Sequence, residues 1–292
     1  MHGTRMTRRE ALAIGGAAIG AAAAIPARAE SGLLRATRVD HVSLAVGDIG
    51  KAVPFYRRLF GNEVLKDNPT ERRFLRLGPS YMAIAPVKTG ETKRIDHVGF
   101  GIENFDAASL KSALQKAGFR VTGSTDSLFV NDPDGTRIQL VADQSWKVIP
   151  HATPEAGPKE TGSKQDALWV SRGMHHLAIQ VSDMARSTEF YRKLFGEPTP
   201  GLGDPPQPSF QAGETRVLLY NPAATKPPKI DHFSVLVDTF DAPAALKVVL
   251  GLGANAQMSR QGTLNEFFDP DGIRLQVTFP GQTYATPAPG KK

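Results

Sequence analysis

Apolar and polar residues alternate in short segments of the chain, which is the pattern of β-strands with one buried face. In the first such segment Val42, Leu44 and Val46 fall on one face. His41 and Ser43 fall on the opposite face, among small residues. The apolar face predicts packing beneath a helix, whereas the small-residue face predicts a concave sheet that lines a hollow.

The same strand opening occurs four times along the chain, and each copy contains a histidine. These residues are His41, His97, His176 and His232. The spacing within each pair is 56 positions (41 to 97 and 176 to 232), and the two pairs start 135 positions apart (41 to 176). Two short modules therefore form one half of the protein, and the half is duplicated.

A helix follows each opening strand, and a tight hairpin comes near the end of each half. Helices are predicted over 48–61 and 183–196, each with Asp as N-cap and Gly just past its end. The hairpins are built on the Asp-Pro-Asp-Gly sequences 132–135 and 269–272, where Pro fixes φ and Gly supplies a positive φ. Each module thus consists of a strand, a helix and then two or three strands.

These modules resemble the vicinal-oxygen-chelate superfamily, which includes glyoxalases, ring-cleaving dioxygenases and bleomycin-resistance proteins. The resemblance rests on the strand-opening histidines, the Asp-Pro-Asp-Gly hairpins and the Phe-Tyr-x-x-Leu-Phe-Gly helix ends at 55–61 and 190–196. It covers about residues 38–143 and 173–279. It implies an α+β fold of two tandem domains, each a pair of βαβββ modules forming a cupped mixed sheet with helices outside. The superfamily shares geometry and not substrate, so the resemblance is less informative about function.

The chain of 292 residues is long enough for two domains that each bury a core. A stretch rich in Pro and Gly separates the two matching regions and predicts a linker. The predicted segments are a signal peptide 1–29, a first domain 36–146, a linker 147–172, a second domain 173–280 and a disordered tail 281–292.

The N-terminal segment predicts an export signal rather than part of the fold. The pair Arg8-Arg9 precedes a weakly apolar run over 11–25, and a small-residue cleavage pattern ends at Ala29. This arrangement resembles a twin-arginine signal, which predicts a periplasmic or extracellular protein. The small-residue pattern predicts cleavage after Ala29. Because the apolar run is short and rich in Ala and Gly, we expect no stable membrane insertion of the mature protein.

Composition narrows the classes of function. The chain has no cysteine, which excludes disulfides, thiolate metal sites and cysteine nucleophiles. Its formal charge is +6, but the predicted signal peptide carries four Arg and one Glu, which leaves about +3 on the mature chain. That charge does not argue for nucleic acid, so the expected partner is a small-molecule substrate or ligand, and the oligomeric state stays open.

The resemblance also implies a metal-ligand set at the centre of each cupped sheet. Metal-dependent members take a ligand from each opening strand and one late in each module. The late position of the first module in each domain falls near Ile84 in the first domain and near Leu219 in the second, and neither side chain can coordinate a metal. The ligands carried over by position are His41, His97 and Gln139 in the first domain and His176, His232 and Gln276 in the second. Gln replaces the usual Glu in both sets, so each would hold a divalent ion such as Fe, Mn, Zn or Ni with neutral groups.

Two other residues of the second domain carry predictions of their own. Glu266 stands three residues before its hairpin turn, where ring-cleaving members often have Tyr and where the first domain has Phe129. The Glu266 carboxylate could replace the missing metal ligand or act as a catalytic base. His175 precedes His176, and strand alternation predicts that it faces the opposite side of the sheet.

Three classes of function remain. A metal-dependent lyase, isomerase or extradiol-type dioxygenase would chelate adjacent oxygens of a small, oxygen-rich substrate on its metal. A metal-free protein would sequester a small molecule in the same hollow, as resistance proteins do, and would not need the histidines. A structural or interaction module would leave the small-residue hollow unexplained. The four histidines favour a metal-dependent enzyme.

Overall fold

The computed structural model describes residues 32–61, 63–68, 70–149, 152–155, 167–201, 207–221, 226–256 and 266–280. The predicted signal peptide and the predicted tail both lie outside these ranges. Within them, no helix is both long enough and apolar enough to cross a membrane.

The described part of each half contains two α-helices and a series of β-strands. The strands of the first half are β1 Ala36–Val46, β2 Val64–Asp67, β3 Arg73–Leu77, β4 Ser80–Pro86, β5 Arg94–Ile102, β6 Thr122–Gly123, β7 Ser127–Asn131, β8 Arg137–Ala142 and β9 Ala152–Pro154. Its helices are α1 Ile49–Phe60 and α2 Ala107–Lys116, and a 3-10 helix spans Ser145–Val148. The strands of the second half are β10 Ser171–Gln180, β11 Thr199–Pro200, β12 Pro208–Ala212, β13 Thr215–Tyr220, β14 Lys229–Val237, β15 Glu266–Phe268 and β16 Arg274–Thr278. Its helices are α3 Met184–Phe195 and α4 Ala242–Gly251.

Each half forms one mixed β-sheet, and the two sheets share a topology. The first sheet has the strand order β6-β7-β8-β5-β1-β4-β3-β2-β9. Read in the matching direction, the second sheet has the order β15-β16-β14-β10-β13-β12-β11. In each sheet the two opening strands pair antiparallel at the centre, and each has a parallel neighbour on its other side. The predicted α+β fold of two tandem halves is therefore confirmed.

The alternation in β1 separates the core from the polar face as predicted. Val42, Leu44 and Val46 are fully buried in the hydrophobic core, together with Tyr56 and Leu59 of α1. Burying an apolar side chain of this size contributes about 1.5–3 kcal/mol. The strand is thus fixed in one register, because a slip of one residue would expose the apolar face.

A β-bulge stands immediately before each strand-opening histidine. The pairing of β1 with β5 and of β10 with β14 skips one residue at each of these points. The bulged residues are Asp40, Asp96, His175 and Asp231. Because a bulge breaks the strict alternation, the bulged side chain lies beside the histidine that follows it. The prediction that His175 faces away from His176 is wrong, since their Nδ1 atoms are 2.9 Å apart.

Part of the segment predicted as a linker adds to the first sheet. Strand β9 pairs antiparallel with β2, so the sheet extends past residue 146. Trp169 is buried, with its ring 5.8 Å from that of Phe60 and 6.0 Å from that of Phe267. The chain between the halves therefore contributes to both sheet pairing and the core.

The two hairpins tie each half to a helix of the other. Tyr56 on α1 donates a 2.7 Å hydrogen bond to Asp269 of the second hairpin, and Tyr191 on α3 donates a 3.1 Å bond to Asp132 of the first. The other oxygen of each aspartate accepts backbone N–H groups of its own turn. Burial is the largest cause of the raised pKa of both tyrosines and both aspartates.

Candidate metal centre

A cavity of about 1010 Å³ lies on the polar face of the first sheet. This cavity is the hollow that the small residues of the opening strands predicted. The residues that line it include His41, Tyr81, His97, Phe129, Arg137 and Gln139. The three predicted ligands of the first domain therefore share one wall.

His41 is fixed between a carboxylate and an amide at this wall, and only 3% of it is exposed. Its Nδ1 lies 2.9 Å from Asp40 Oδ1, and in the tautomer that donates from Nδ1 to this carboxylate, Nε2 keeps its lone pair. That Nε2 lies 3.1 Å from Gln139 Oε1. Two lone-pair atoms thus face one another, an arrangement that a shared cation satisfies. Without a cation, the pair is satisfied when the Gln139 amide turns so that its NH₂ group donates.

His97 offers the second ring nitrogen. Its Nδ1 lies 2.9 Å from Asp96 Oδ2, and its ring meets that of His41 edge-on with centroids 5.5 Å apart. Burial, the largest influence, lowers the pKa of His97, although Asp96 opposes the change. The hydrogen bond from His97, together with Arg94, lowers the pKa of Asp96 to about 2. His97 is therefore neutral at pH 7, as a metal ligand must be.

The donor set of the first half fits a divalent ion of the transition series. Imidazole nitrogen suits Zn, Fe and Ni, and amide oxygen is accepted by harder ions. The 3.1 Å between His41 Nε2 and Gln139 Oε1 matches two neighbouring ligands of one ion, each about 2.1 Å from it. Among the described residues, no three His, Asp or Glu side chains surround a common point. A metal here would thus rest on two imidazoles, one amide and groups from water or substrate.

Two neighbours hold the His41 ring on its faces. The ring of Tyr81 stacks on it at 4.7 Å with a 22° interplanar angle. Gly99 faces His41 across the β1 and β5 pair, and a Cβ there would lie 2.1 Å from His41 Cε1. Only glycine at position 99 leaves room for the ring as it lies.

The histidines of the second half form a hydrogen-bonded chain instead. His232 Nδ1 donates to Asp231 at 2.9 Å, and its Nε2 lies 3.3 Å from His176 Nε2. His176 Nδ1 in turn lies 2.9 Å from His175 Nδ1. The chain closes without a cation when His175 donates to His176 and His176 donates to His232. Burial is the main cause of the low pKa of His176, followed by His232 and His175.

Gln276 and Glu266, the other predicted site residues of the second half, face each other across β15 and β16. Gln276 Nε2 donates to Glu266 Oε2 at 3.2 Å, and Arg274 donates to the same oxygen at 2.5 Å. Arg274 also pairs with Asp231. The Glu266 carboxylate therefore lies beside the predicted ligand but is engaged in an ion pair.

The residues around the equivalent histidines differ between the halves. At positions that surround His41 with Asp40, Tyr81 and Gly99, the second half surrounds His176 with His175, Arg216 and Ser234. The Arg216 cation thus stands in place of the Tyr81 phenol, and the His175 imidazole stands in place of the Asp40 carboxylate. This surrounding is less favourable for a metal ion, so the first half is the better candidate.

The sequence pattern predicted no role for the aspartates at the bulges or for Tyr81. One signal was present, because Asp precedes histidine at 40–41, 96–97 and 231–232 and His replaces it at 175–176. Metal-bound histidines usually donate their second ring N–H to a carboxylate, which gives this dipeptide a physical meaning.

Paired histidines on two duplicated, cupped sheets define the class of vicinal-oxygen-chelate proteins. The chain belongs to the Glyoxalase/Bleomycin resistance protein/Dioxygenase superfamily, which it matches over residues 38–140 and 173–277.

Individual relatives are distant. A probable chloroplastic lactoylglutathione lyase of Arabidopsis thaliana is 26% identical over 179 residues, which are 54% of this chain and 44% of that protein. A probable lactoylglutathione lyase of Vibrio parahaemolyticus is 28% identical over 125 residues, which are 36% of this chain and 89% of that protein. The crystal structure of BphC, a halotolerant catechol dioxygenase, matches with a TM-score of 0.57 and 14% identity over 84% of this chain and 87% of its own. At that identity the similarity shows the fold alone.

Proposed function

We propose that the chain is a divalent-metal-dependent enzyme, a lyase, isomerase or extradiol-type dioxygenase, whose site is in the first half. One observation carries the proposal: His41, His97 and Gln139 share the wall of the 1010 Å³ cavity, and each histidine has its Nδ1 bound by the preceding aspartate. Both Nε2 atoms are thereby left as potential ligands. The name that the curated relatives share, lactoylglutathione lyase, supports a lyase of this class.

A bound metal would act as a Lewis acid toward adjacent oxygens of the substrate. The protein would supply His41, His97 and Gln139 as its ligands and leave the cavity side open. The remaining wall includes aromatic rings, cations and carboxylates, among them Phe74, Tyr81, Phe129, Arg72, Arg94, Arg137, Glu91, Asp96 and Asp126. Such a wall suits a small, oxygen-rich molecule with an apolar or anionic part.

Metal titration of the full-length chain tests the proposal. Isothermal calorimetry with Mn(II), Fe(II), Zn(II) and Ni(II) should show one ion per chain. His97→Ala should abolish binding, whereas the matched variant His232→Ala of the second half should retain it. Gln139→Glu should strengthen binding at least roughly tenfold, because about 1.4 kcal/mol of added attraction is enough for that change.

Two outcomes would contradict this assignment. If neither wild type nor Gln139→Glu bound a metal, the enzyme proposal would fail for the first half. If His232→Ala and Gln276→Glu altered binding and the first-half variants did not, the site would belong to the second half. There Glu266 would regain its predicted role as ligand or base once its pair with Arg274 opened.

A second candidate function is metal-free binding of a small molecule. It is favoured by the histidine chain of the second half, which closes without a cation, and by the absence of Glu at 139 and 276. In this case the cavity would sequester a ligand. Ligand affinity unchanged by a chelator and by His97→Ala would support it over the enzyme.

We also propose that the protein is exported through the twin-arginine route. The support is the Arg8-Arg9 pair ahead of the short apolar run. N-terminal sequencing of the exported protein should find Glu30 first. Normal export of the variant Arg8→Lys, Arg9→Lys would exclude the route.

A further inference from the structure

The carboxylate of Asp40 accepts three hydrogen bonds from His41 and Ser145, two residues that line the cavity of the first half. Asp40 is fully buried. Its Oδ1 accepts from His41 Nδ1 at 2.9 Å and from Ser145 Oγ at 2.6 Å, and its Oδ2 accepts from Ser145 N at 3.2 Å. Two of the three bonds thus come from Ser145, which lies in the segment after β8.

We propose that Ser145 and Asp40 are positioning residues of the candidate metal centre, which fix the His41 ring so that its Nε2 faces the cavity. This inference rests on the proposed function of the first half. Ser145 holds the carboxylate within hydrogen-bond distance of His41 Nδ1, and the carboxylate in turn fixes which ring nitrogen carries the proton.

The phenol of Tyr81 completes the arrangement. Since Ser145 Oγ donates to Asp40, the Tyr81 hydroxyl, 3.3 Å away, donates to Ser145 Oγ. The ring of the same tyrosine stacks on His41. Ser145 therefore supports His41 by two routes, through the carboxylate on its edge and through the phenol on its face.

The segment that carries Ser145 is itself anchored. The ring of Trp146 lies 5.8 Å from that of Tyr81, and Arg76 lies over the indole at 5.8 Å. Farther along, β9 pairs with β2. The sequence predicted this stretch as the end of the first domain and a linker. It contributes Ser145 to the candidate metal centre.

Asp40 also differs from Asp96 in how its charge is balanced. Asp96 contacts Arg94 at 2.5 Å and Arg137 at 3.8 Å. No Lys or Arg among the described residues pairs with Asp40, whose partners are His41 and Ser145. A carboxylate, which the ligand set lacks because Gln139 stands where Glu is usual, is therefore present one hydrogen bond further out, at Asp40.

The test compares Asp40→Asn, Ser145→Ala and Ser145→Thr in the full-length chain. Ser127→Ala is the matched control, because it removes a hydroxyl from the same cavity wall outside this network. Two quantities are measured: the tautomer of His41 by ¹⁵N NMR of the metal-free protein, and the affinity for Mn(II) by calorimetry.

The expected result is that wild type, Ser145→Thr and Ser127→Ala hold His41 with its proton on Nδ1. Ser145→Ala and Asp40→Asn should shift the proton toward Nε2. Mn(II) affinity should fall by about 10- to 100-fold in Asp40→Asn, the usual loss for such a partner, and by a smaller factor in Ser145→Ala. Rescue by Ser145→Thr separates positioning from a general loss of folding.

An unchanged His41 tautomer in Asp40→Asn and Ser145→Ala would overturn the inference. So would a changed tautomer with unchanged Mn(II) affinity, because the network would then hold the ring without serving a metal. If wild type binds no metal, the proposed function fails by itself. The tautomer comparison then decides alone whether Ser145 and Asp40 position His41.

Discussion

At the scale of single residues, the His41 ring has room because Gly99 opposite it has no Cβ. A Cβ on Gly99 would overlap the imidazole, with 2.1 Å to Cε1 and 2.4 Å to Nδ1. The second half carries Ser234 at the matching position, and its hydroxyl is 2.8 Å from that of Thr278. The two halves therefore accept different orientations of the histidine opposite.

Gly99→Ala should displace the His41 ring. Overpacking of a buried site costs about 1–3 kcal/mol, so the free energy of unfolding should fall by that amount and metal affinity should fall with it. Chemical denaturation and Mn(II) calorimetry measure both effects. Gly251→Ala is the control, because a Cβ at that residue meets no atom within 4 Å. Equal stability of the two variants would show that His41 moves aside without cost.

His176 makes the folded protein sensitive to acid. Its pKa is lowered, chiefly by burial, so above about pH 6.5 the residue is neutral in both states and contributes nothing. Below that pH the unfolded chain binds a proton that the folded chain does not. Stability is therefore lost as the pH falls from about 6.5 toward the folded-state pKa.

Replacement of His176 by Gln should make this loss shallower. Urea unfolding of the metal-free protein between pH 7.5 and pH 5 measures the slope, to which one histidine contributes at most about 1.4 kcal/mol per pH unit. His97 and His175 have lowered pKa values as well and should preserve part of the slope. Identical slopes in wild type and variant would mean that His176 titrates normally.

At the scale of elements, the sequence predicted faces and order better than it predicted the local breaks. Alternation placed Val42 and His41 on opposite faces because it follows from the two-residue period of a strand, and the recurring motif placed the four opening strands. The bulges at Asp40 and His175 were not predictable in this way, since a bulge depends on how two strands pair across the sheet. The pairing of β9 was missed because a short segment has little periodicity of its own.

Each Asp-Pro-Asp-Gly hairpin also makes a hydrogen bond to the other half of the protein. Pro and Gly in the Asp-Pro-Asp-Gly sequences explain the turn itself. The first aspartate of each motif has a further role that the sequence did not indicate, because its partner, Tyr191 or Tyr56, lies on a helix of the other half. A contact between two halves has no local signature in either.

Removing either tyrosine hydroxyl should destabilise the protein. Tyr56→Phe and Tyr191→Phe each leave a buried aspartate without one donor, which should cost about 1.5–3 kcal/mol for a bond to a charged group. Denaturant unfolding gives the change for each variant. A loss below about 0.5 kcal/mol in both variants would mean that water replaces the hydroxyl and that the two tyrosine–aspartate hydrogen bonds add little to the free energy of unfolding.

At the scale of the whole molecule, the described parts of the two halves pack against each other through a shared hydrophobic core. Most of their buried apolar residues belong to one core, in which the ring centroid of Phe100 of the first half lies 4.9 Å from that of Phe195 of the second. The hydrogen bonds from Tyr56 and Tyr191 to the hairpins connect the two halves as well. The ring of Trp169 likewise lies near a ring of each half, Phe60 and Phe267. We therefore expect the two halves of this duplicated fold to unfold as one unit, so that a ligand bound in one half stabilises both.

A metal bound in the first half should therefore stabilise the second half equally. At a free metal concentration of 100 times Kd, binding adds about 2.7 kcal/mol to the free energy of unfolding. Calorimetry should show one transition that shifts upward as a whole. Hydrogen exchange should show equal added protection for amides of β8 and β16, although only β8 carries a proposed ligand. Two separate transitions, of which the metal shifts one, would show that the halves unfold independently despite their common core.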